Sequence, residues 1–156
     1  MSAWGYALFS DDTACDVRDD YRELIEDGIG DTEATQKVLA DYTEALDDPD
    51  DGPIVWLALA ASQSKIGRLE PSVLAKALEV LDQGLGLDRW AEEGPKELAK
   101  RQAALEKIRA QLTGPQPARK KLRRPWRYVT DLVPGNVLTY RSKSGNYVLL
   151  RVAQVD

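Results

Sequence analysis

Five aspartates lie within ten residues near the start of the chain, and carboxylates at this density are one way to build a metal site. They are Asp11, Asp12, Asp16, Asp19 and Asp20, in the stretch WGYALFSDDTACDVRDDY. A metal site needs carboxylates that converge in a cleft and further oxygen ligands from elsewhere in the chain. The alternative is the solvent-exposed face of a helix.

Helical periodicity separates the acidic side chains of this stretch from the apolar ones. At about 100° per residue, Ala14, Val17, Tyr21, Leu24 and Ile25 share one side of a helix, which predicts a buried stripe. The acidic residues of the opposite side are Asp12, Asp16, Asp19, Glu23 and Asp27. We interpret them as a solvated surface that binds a basic protein, and we predict no metal site and no cofactor. A carboxylate-metal enzyme is the weaker alternative.

Composition also argues against catalysis. The chain contains no histidine and a single cysteine, Cys15. This excludes Ser-His-Asp and Cys-His nucleophilic catalysis, histidine-ligated zinc and sites built from several cysteines. The sequence also lacks a glycine-rich phosphate loop and a nucleophile elbow. We predict a protein that is not an enzyme and has no catalytic residues.

The net charge of −5 conceals a strong asymmetry along the chain. Residues 1–95 carry 22 acidic and 7 basic residues, whereas residues 96–156 carry 4 acidic and 14 basic residues. Two explanations fit this division: two surfaces that serve different partners, or an acidic body that folds onto its own basic tail.

The basic charge is densest in the stretch RKKLRRPWRY, residues 119–128, where two aromatic side chains accompany six cations. Phosphate contacts combined with stacking on exposed bases use this combination, so a nucleic-acid-associated protein is the alternative function. Its binding residues would be Arg119, Lys120, Lys121, Arg123, Arg124, Trp126, Arg127 and Tyr128. A solvated linker, or a segment that neutralises the acidic helices, are the simpler interpretations.

Glycine and proline positions predict an antiparallel bundle of five to six helices, followed by a small antiparallel β unit. The first helix is expected to begin after Ser10 or Asp11 and to end at Asp27. The second is expected to extend to about Asp47, and the third to begin at Pro53 and to be the most buried. Two further helical regions follow, 71–84 and 88–112. The second of these is interrupted at Gly94-Pro95, so it is either one kinked helix or a short helix followed by a long one.

The period of the apolar residues changes from helical to extended after residue 125. Residues 136–141 and 147–155 predict a β-hairpin with Gly145 in its turn, and WRYV at 126–129 is a candidate third strand. Since so small a sheet is marginal alone, we expect it to pack on the helices or to be part of a larger β unit. The predicted domains are therefore 1–112 (helical), 113–125 (basic, proline-containing linker) and 126–156 (β unit).

Targeting signals are not evident in the sequence. The longest apolar run, PIVWLALAA at 53–61, is too short to span a bilayer, and the N-terminus lacks the features of a secretory signal. We expect a cytoplasmic protein without membrane association.

The first twenty residues resemble a bacterial family, domain of unknown function 4259, whose members begin with a Trp-Gly, Phe and Asp-rich signature. The matching residues are Trp4, Gly5, Phe9, Asp12, Cys15 and Asp16. The tail is similar to the first strands of immunity protein 26-like domains, through Gly135, Val137, Gly145, Tyr147, Arg151 and Val152. The second resemblance implies a protein that neutralises a bacterial toxin by tight binding.

The leading hypothesis is thus an immunity-type protein that binds a basic toxin through its acidic helical face. Complementary charge accelerates the encounter of such partners.

Overall fold

The computed structural model describes residues 5–124 and 131–154, in two compact units, Met1–Arg124 and Pro125–Asp156. The expected fold class is confirmed: the first unit is helical, and the second contains a two-stranded antiparallel sheet. The helices are α1 (Asp12–Glu26), α2 (Asp31–Asp41), α3 (Thr43–Asp47), α4 (Asp51–Lys65), α5 (Pro71–Gln83), α6 (Asp88–Glu93) and α7 (Pro95–Thr113). The strands are β1 (Val137–Arg141) and β2 (Tyr147–Arg151).

Helix α1 follows the sequence prediction at both ends. Asp11 is its N-cap, and its carboxylate accepts a hydrogen bond from the Ala14 amide at 3.4 Å. At the other end, the Ile29 amide donates to the Leu24 carbonyl, and the Gly28 amide donates to that of Ile25. These two bonds form a Schellman motif, for which Gly28 has the required positive φ of 84°.

Helix α4 is the centre of the helical unit. Of its 15 residues, 12 are buried, and it packs against α1, α3, α5 and α7. The predicted stripe of α1 faces this core through Ala14, Val17, Tyr21 and Ile25, all buried, while Leu24 is partly buried. The prediction that the third long helix is the most buried is confirmed.

Two helix boundaries differ from the sequence prediction. The second helix is divided at Tyr42 into α2 and α3. The Tyr42 hydroxyl donates a hydrogen bond to the Asp20 carboxylate of α1 at 2.7 Å. Helix α4 begins at Asp51, two residues before Pro53, because the Asp48 carboxylate accepts from the Asp50 and Asp51 amides. Proline is tolerated throughout the first turn, where its missing N–H costs no intrahelical bond. At Gly94 the chain leaves helical geometry, so of the two arrangements that the sequence allowed for residues 88–112, a short helix followed by a long one is observed, as α6 and α7.

The second unit is a hairpin in which Val137 pairs with Arg151 and Arg141 with Tyr147. Gly145 lies in the turn with a φ of 87°, as predicted. One face carries four apolar side chains that are all exposed: Leu138, Tyr140, Val148 and Leu150. The proposed third strand at 126–129 lies outside the described residues.

Within the described ranges, no helix is both long enough and apolar enough to cross a lipid bilayer.

Candidate protein-binding surface

The acidic residues predicted to share one side of α1 are all exposed to solvent. They are Asp12, Asp16, Asp19, Glu23 and Asp27. Their positions on α1 are fixed from behind, because the opposite side of the helix packs on α4. Below, the acidic face means these five side chains. It divides into two parts according to what each carboxylate contacts.

The C-terminal part of the acidic face is occupied by the chain's own basic segment. We call residues 115–124 the strap. Its Arg124 forms ion pairs with both Glu23 and Asp27, and Nη2 donates to these carboxylates at 3.2 and 2.6 Å. Of the two explanations for the charge asymmetry, the acidic body that binds its own basic segment is observed for these residues.

Backbone contacts hold the strap where it crosses the end of α4. The Lys120 amide donates to the Ile66 carbonyl at 2.9 Å, and the Lys120 carbonyl accepts from Nε and Nη2 of Arg68 at 3.2 and 2.8 Å. Leu122 packs against the edge of the core. Gly67 allows this close approach, since a Cβ there would lie 2.7 Å from the Ala118 carbonyl carbon.

Asp31, the first residue of α2, lies between two guanidinium groups. Arg68 Nη1 donates to its Oδ1 at 2.5 Å, and Arg119 of the strap donates to both carboxylate oxygens. Burial raises the pKa of Asp31, but the hydrogen bonds from Arg119 and Arg68 outweigh burial and hold this pKa below its ordinary value. Asp31 therefore binds the strap in its ionised form.

Acidification is expected to weaken this contact. Since the pKa of Asp31 is lower in the folded protein than in the unfolded chain, its stabilisation is complete above the unfolded pKa of about 3.9. It is lost as the pH falls through the lower folded value. Chemical denaturation of the wild type and Asp31→Asn over a pH series measures the effect. We expect the wild type to be more stable at neutral pH, and the difference to shrink as the pH falls below the pKa of the unfolded chain. A difference that is constant across the series would contradict this expectation.

The N-terminal part of the acidic face has a different environment. Asp12 and Asp16 form no ion pair with any residue in the described part of the chain, and Asp19 is paired only with its neighbour Arg18, at 2.8 Å. Beside them lies Tyr42. Burial raises the pKa of Tyr42, and it is raised further by the hydrogen bond to Asp20 and by the nearby Asp16 and Asp41. Carboxylates from α1 and α2 thus converge on this side of the unit.

Five of the eight predicted nucleic-acid-binding residues are described by the structure, and they differ in what they contact. Arg119 and Arg124 are engaged by carboxylates, as described above. Lys120, Lys121 and Arg123 are exposed and make no ion pair with the described residues. The remaining three, Trp126, Arg127 and Tyr128, lie outside the described residues.

Asp11, the first of the five aspartates, is a structural residue. Its side chain is only 2% exposed and pairs with Arg89 of α6 at 3.3 Å. Nearby, the buried Arg101 of α7 donates to the Tyr6 carbonyl at 3.0 Å and stacks on Trp90. Burial lowers the pKa of Arg101, and the positive charge of Arg89 lowers it further. Sequence reasoning missed this cluster, because its contacts join residues that are 78 and 95 positions apart in sequence and belong to no motif.

Among the residues that the structure describes, 5–124 and 131–154, no group of three or more Asp, Glu, Cys or His is arranged so that it could hold a metal ion.

Comparisons of the chain with protein-family models, with curated proteins and with solved structures find no match.

Proposed function

We propose that this protein is a non-enzymatic binding module whose acidic face recognises a basic protein segment. The observation that carries the proposal is the strap. Two of its arginines bind carboxylates of α1 and α2, so the chain itself provides an example of the ligand chemistry that this surface accepts. An arginine forms charge-assisted, two-pronged hydrogen bonds with a carboxylate, which give direction as well as attraction.

The N-terminal part of the acidic face is the part available to a partner. Asp12 and Asp16 lie on a helix whose opposite face is buried, so they are presented without a large ordering cost. An immunity-type role, in which the partner is a basic toxin, is the most concrete form of this proposal. Complementary charge would favour rapid encounter with such a partner.

The nucleic-acid alternative is less well supported by the arrangement. Arg119 and Arg124 would have to leave their carboxylates before they could contact phosphates. The acidic face lies beside them and would repel a phosphate backbone within a Debye length of about 10 Å at 0.1 M salt.

Affinity capture from a cell extract of the native host, treated with nuclease, tests the proposal. The bait is the wild type or the Asp12→Asn, Asp16→Asn double variant, which removes two charges at almost constant shape. The matched control is Glu33→Gln with Glu79→Gln, which changes the net charge equally at exposed positions on α2 and α5.

We expect one basic protein to be retained by the wild type and by the control, and its affinity for the aspartate variant to be about tenfold weaker or worse. Equal retention by all three baits would show that this part of the acidic face is not the interface. Recovery that depends on intact nucleic acid would transfer the function to the basic segment.

A further inference from the structure

A cavity of about 510 Å³ lies in the helical unit. Its walls come from α1, the C-terminal half of α4, the C-terminal half of α7 and residues 114–117. This volume is within the range of small-molecule sites, which is roughly 300–1,000 Å³. The apolar part of the wall includes Phe9, Ile66 and Ile108.

The charge of this cavity is opposite to that of its surroundings. Three cationic side chains line it, Arg18, Arg22 and Lys65, and none of its described lining residues is acidic. The first 95 residues, to which all three cations belong, carry 22 acidic and 7 basic residues, so a lining of this sign is unexpected.

The three cations that line the cavity differ in whether they form ion pairs with carboxylates of the chain. Arg18 pairs with Asp19 at 2.8 Å, and Arg22 pairs with Glu26 at 3.8 Å, both outside the cavity lining. Lys65, at the C-terminal end of α4, is exposed and forms no ion pair with the residues that the structure describes. Exposed ion pairs contribute little to stability, so the two arginines are free to exchange partners at small cost.

Two hydroxyl groups add hydrogen-bonding capacity. Ser62 and Ser64 line the same cavity, are at most 4% exposed, and have no hydrogen-bond partner for their Oγ atoms among the described residues. A buried polar atom without a partner is costly, and a ligand that supplies an acceptor would remove that cost.

From these observations we infer that the cavity binds a small amphiphilic anion, a carboxylate or phosphate ester with an apolar chain or ring. The apolar part lies against Phe9, Ile66 and Ile108, and the anionic group lies at the rim beside Lys65 and the two arginines. Binding of such an anion goes beyond the proposed protein-binding function and does not depend on it.

Calorimetric titration of the full chain with three probes tests the inference: decanoate, decyltrimethylammonium and inorganic phosphate. The two amphiphiles are used below the concentrations at which they form micelles. Decanoate is expected to bind with one-to-one stoichiometry and the other two much more weakly. Equal binding of the cationic amphiphile would refute the role of the charges, and equal binding of phosphate would refute the role of the apolar wall.

Variants locate the site. Lys65→Glu is expected to weaken decanoate binding about tenfold, because it reverses the charge of the lining cation that forms no ion pair with the described residues. Ala110→Leu places extra volume in the cavity and is expected to abolish binding. Its control is Ala103→Leu, at an exposed position of the same helix outside the cavity lining. Unchanged decanoate binding by Ala110→Leu, or equal loss in Ala103→Leu, would overturn the assignment.

Discussion

Gly67→Ala is expected to displace the strap and to lower the free energy of unfolding by about 3–4 kcal/mol. Gly67 has a φ of 67°, which costs an L residue about 1–2 kcal/mol. The added methyl group would also lie 2.7 Å from the carbonyl carbon and oxygen of Ala118, and backbone atoms cannot yield as a flexible side chain would. The strap must therefore move away, and its hydrogen bonds to Ile66 and Arg68 are then lost.

Gly28→Ala is the matched control for this substitution. Gly28 ends α1 with a φ of 84°, but a Cβ there meets no atom within 4 Å. It should show the conformational cost alone, about 1–2 kcal/mol. Urea denaturation compares the two variants, and trypsin cleavage at Lys120 and Lys121 reports on the strap directly. Equal destabilisation, with equal cleavage rates, would mean that the strap does not depend on its close approach at Gly67.

The Arg119→Gln, Arg124→Gln variant is expected to bind a free peptide of the strap sequence, residues 115–124, about tenfold more tightly than the wild type does. In the wild type these two arginines form ion pairs with Asp31, Glu23 and Asp27. A tethered segment competes at an effective concentration of roughly millimolar, so it masks the carboxylates from a ligand in solution. Once its arginines are removed, the same carboxylates become available to the peptide.

A charge-matched control separates this effect from general electrostatics. Lys121→Gln with Arg123→Gln removes the same net charge from the strap, at exposed positions that form no ion pair with the described residues. Fluorescence anisotropy of the labelled peptide, at low and at moderate salt, measures the affinities. If both double variants bind the peptide equally, the gain reflects net charge and not release of the acidic face.

Local signals in the sequence were sufficient for the helices and for the core face of α1. Gly28 and Gly84 end α1 and α5 as predicted, because a positive φ at a helix end favours glycine whatever packs nearby. The apolar stripe of α1 follows from helical periodicity alone. The division of the second helix at Tyr42 was not predictable in this way. Its tyrosine hydroxyl contacts Asp20, 22 residues earlier.

The contacts of the strap could not be predicted from the sequence either, because they too join residues that are distant in the chain. The segment has two prolines, Pro115 and Pro117, and no apolar period, so its pattern indicates a linker and does not reveal which helices it crosses. The partner of Arg119 lies 88 residues away in the chain, and those of Arg124 lie 97 and 101 residues away. Charge asymmetry indicated that such pairing was one of two possibilities, but only the three-dimensional arrangement identifies Asp31, Glu23 and Asp27 as the partners.

Helix α1 has a consequence for how a protein of this kind can evolve. Its buried stripe, which includes Val17 and Tyr21, serves the core, while its carboxylates project into solvent from the other side. A change of charge at Asp12 or Asp16 therefore leaves the packing of α4 untouched, and a change at Val17 leaves the exposed charges as they are. Selection for a new partner and selection for a stable fold can therefore act on different residues of the same fifteen-residue helix.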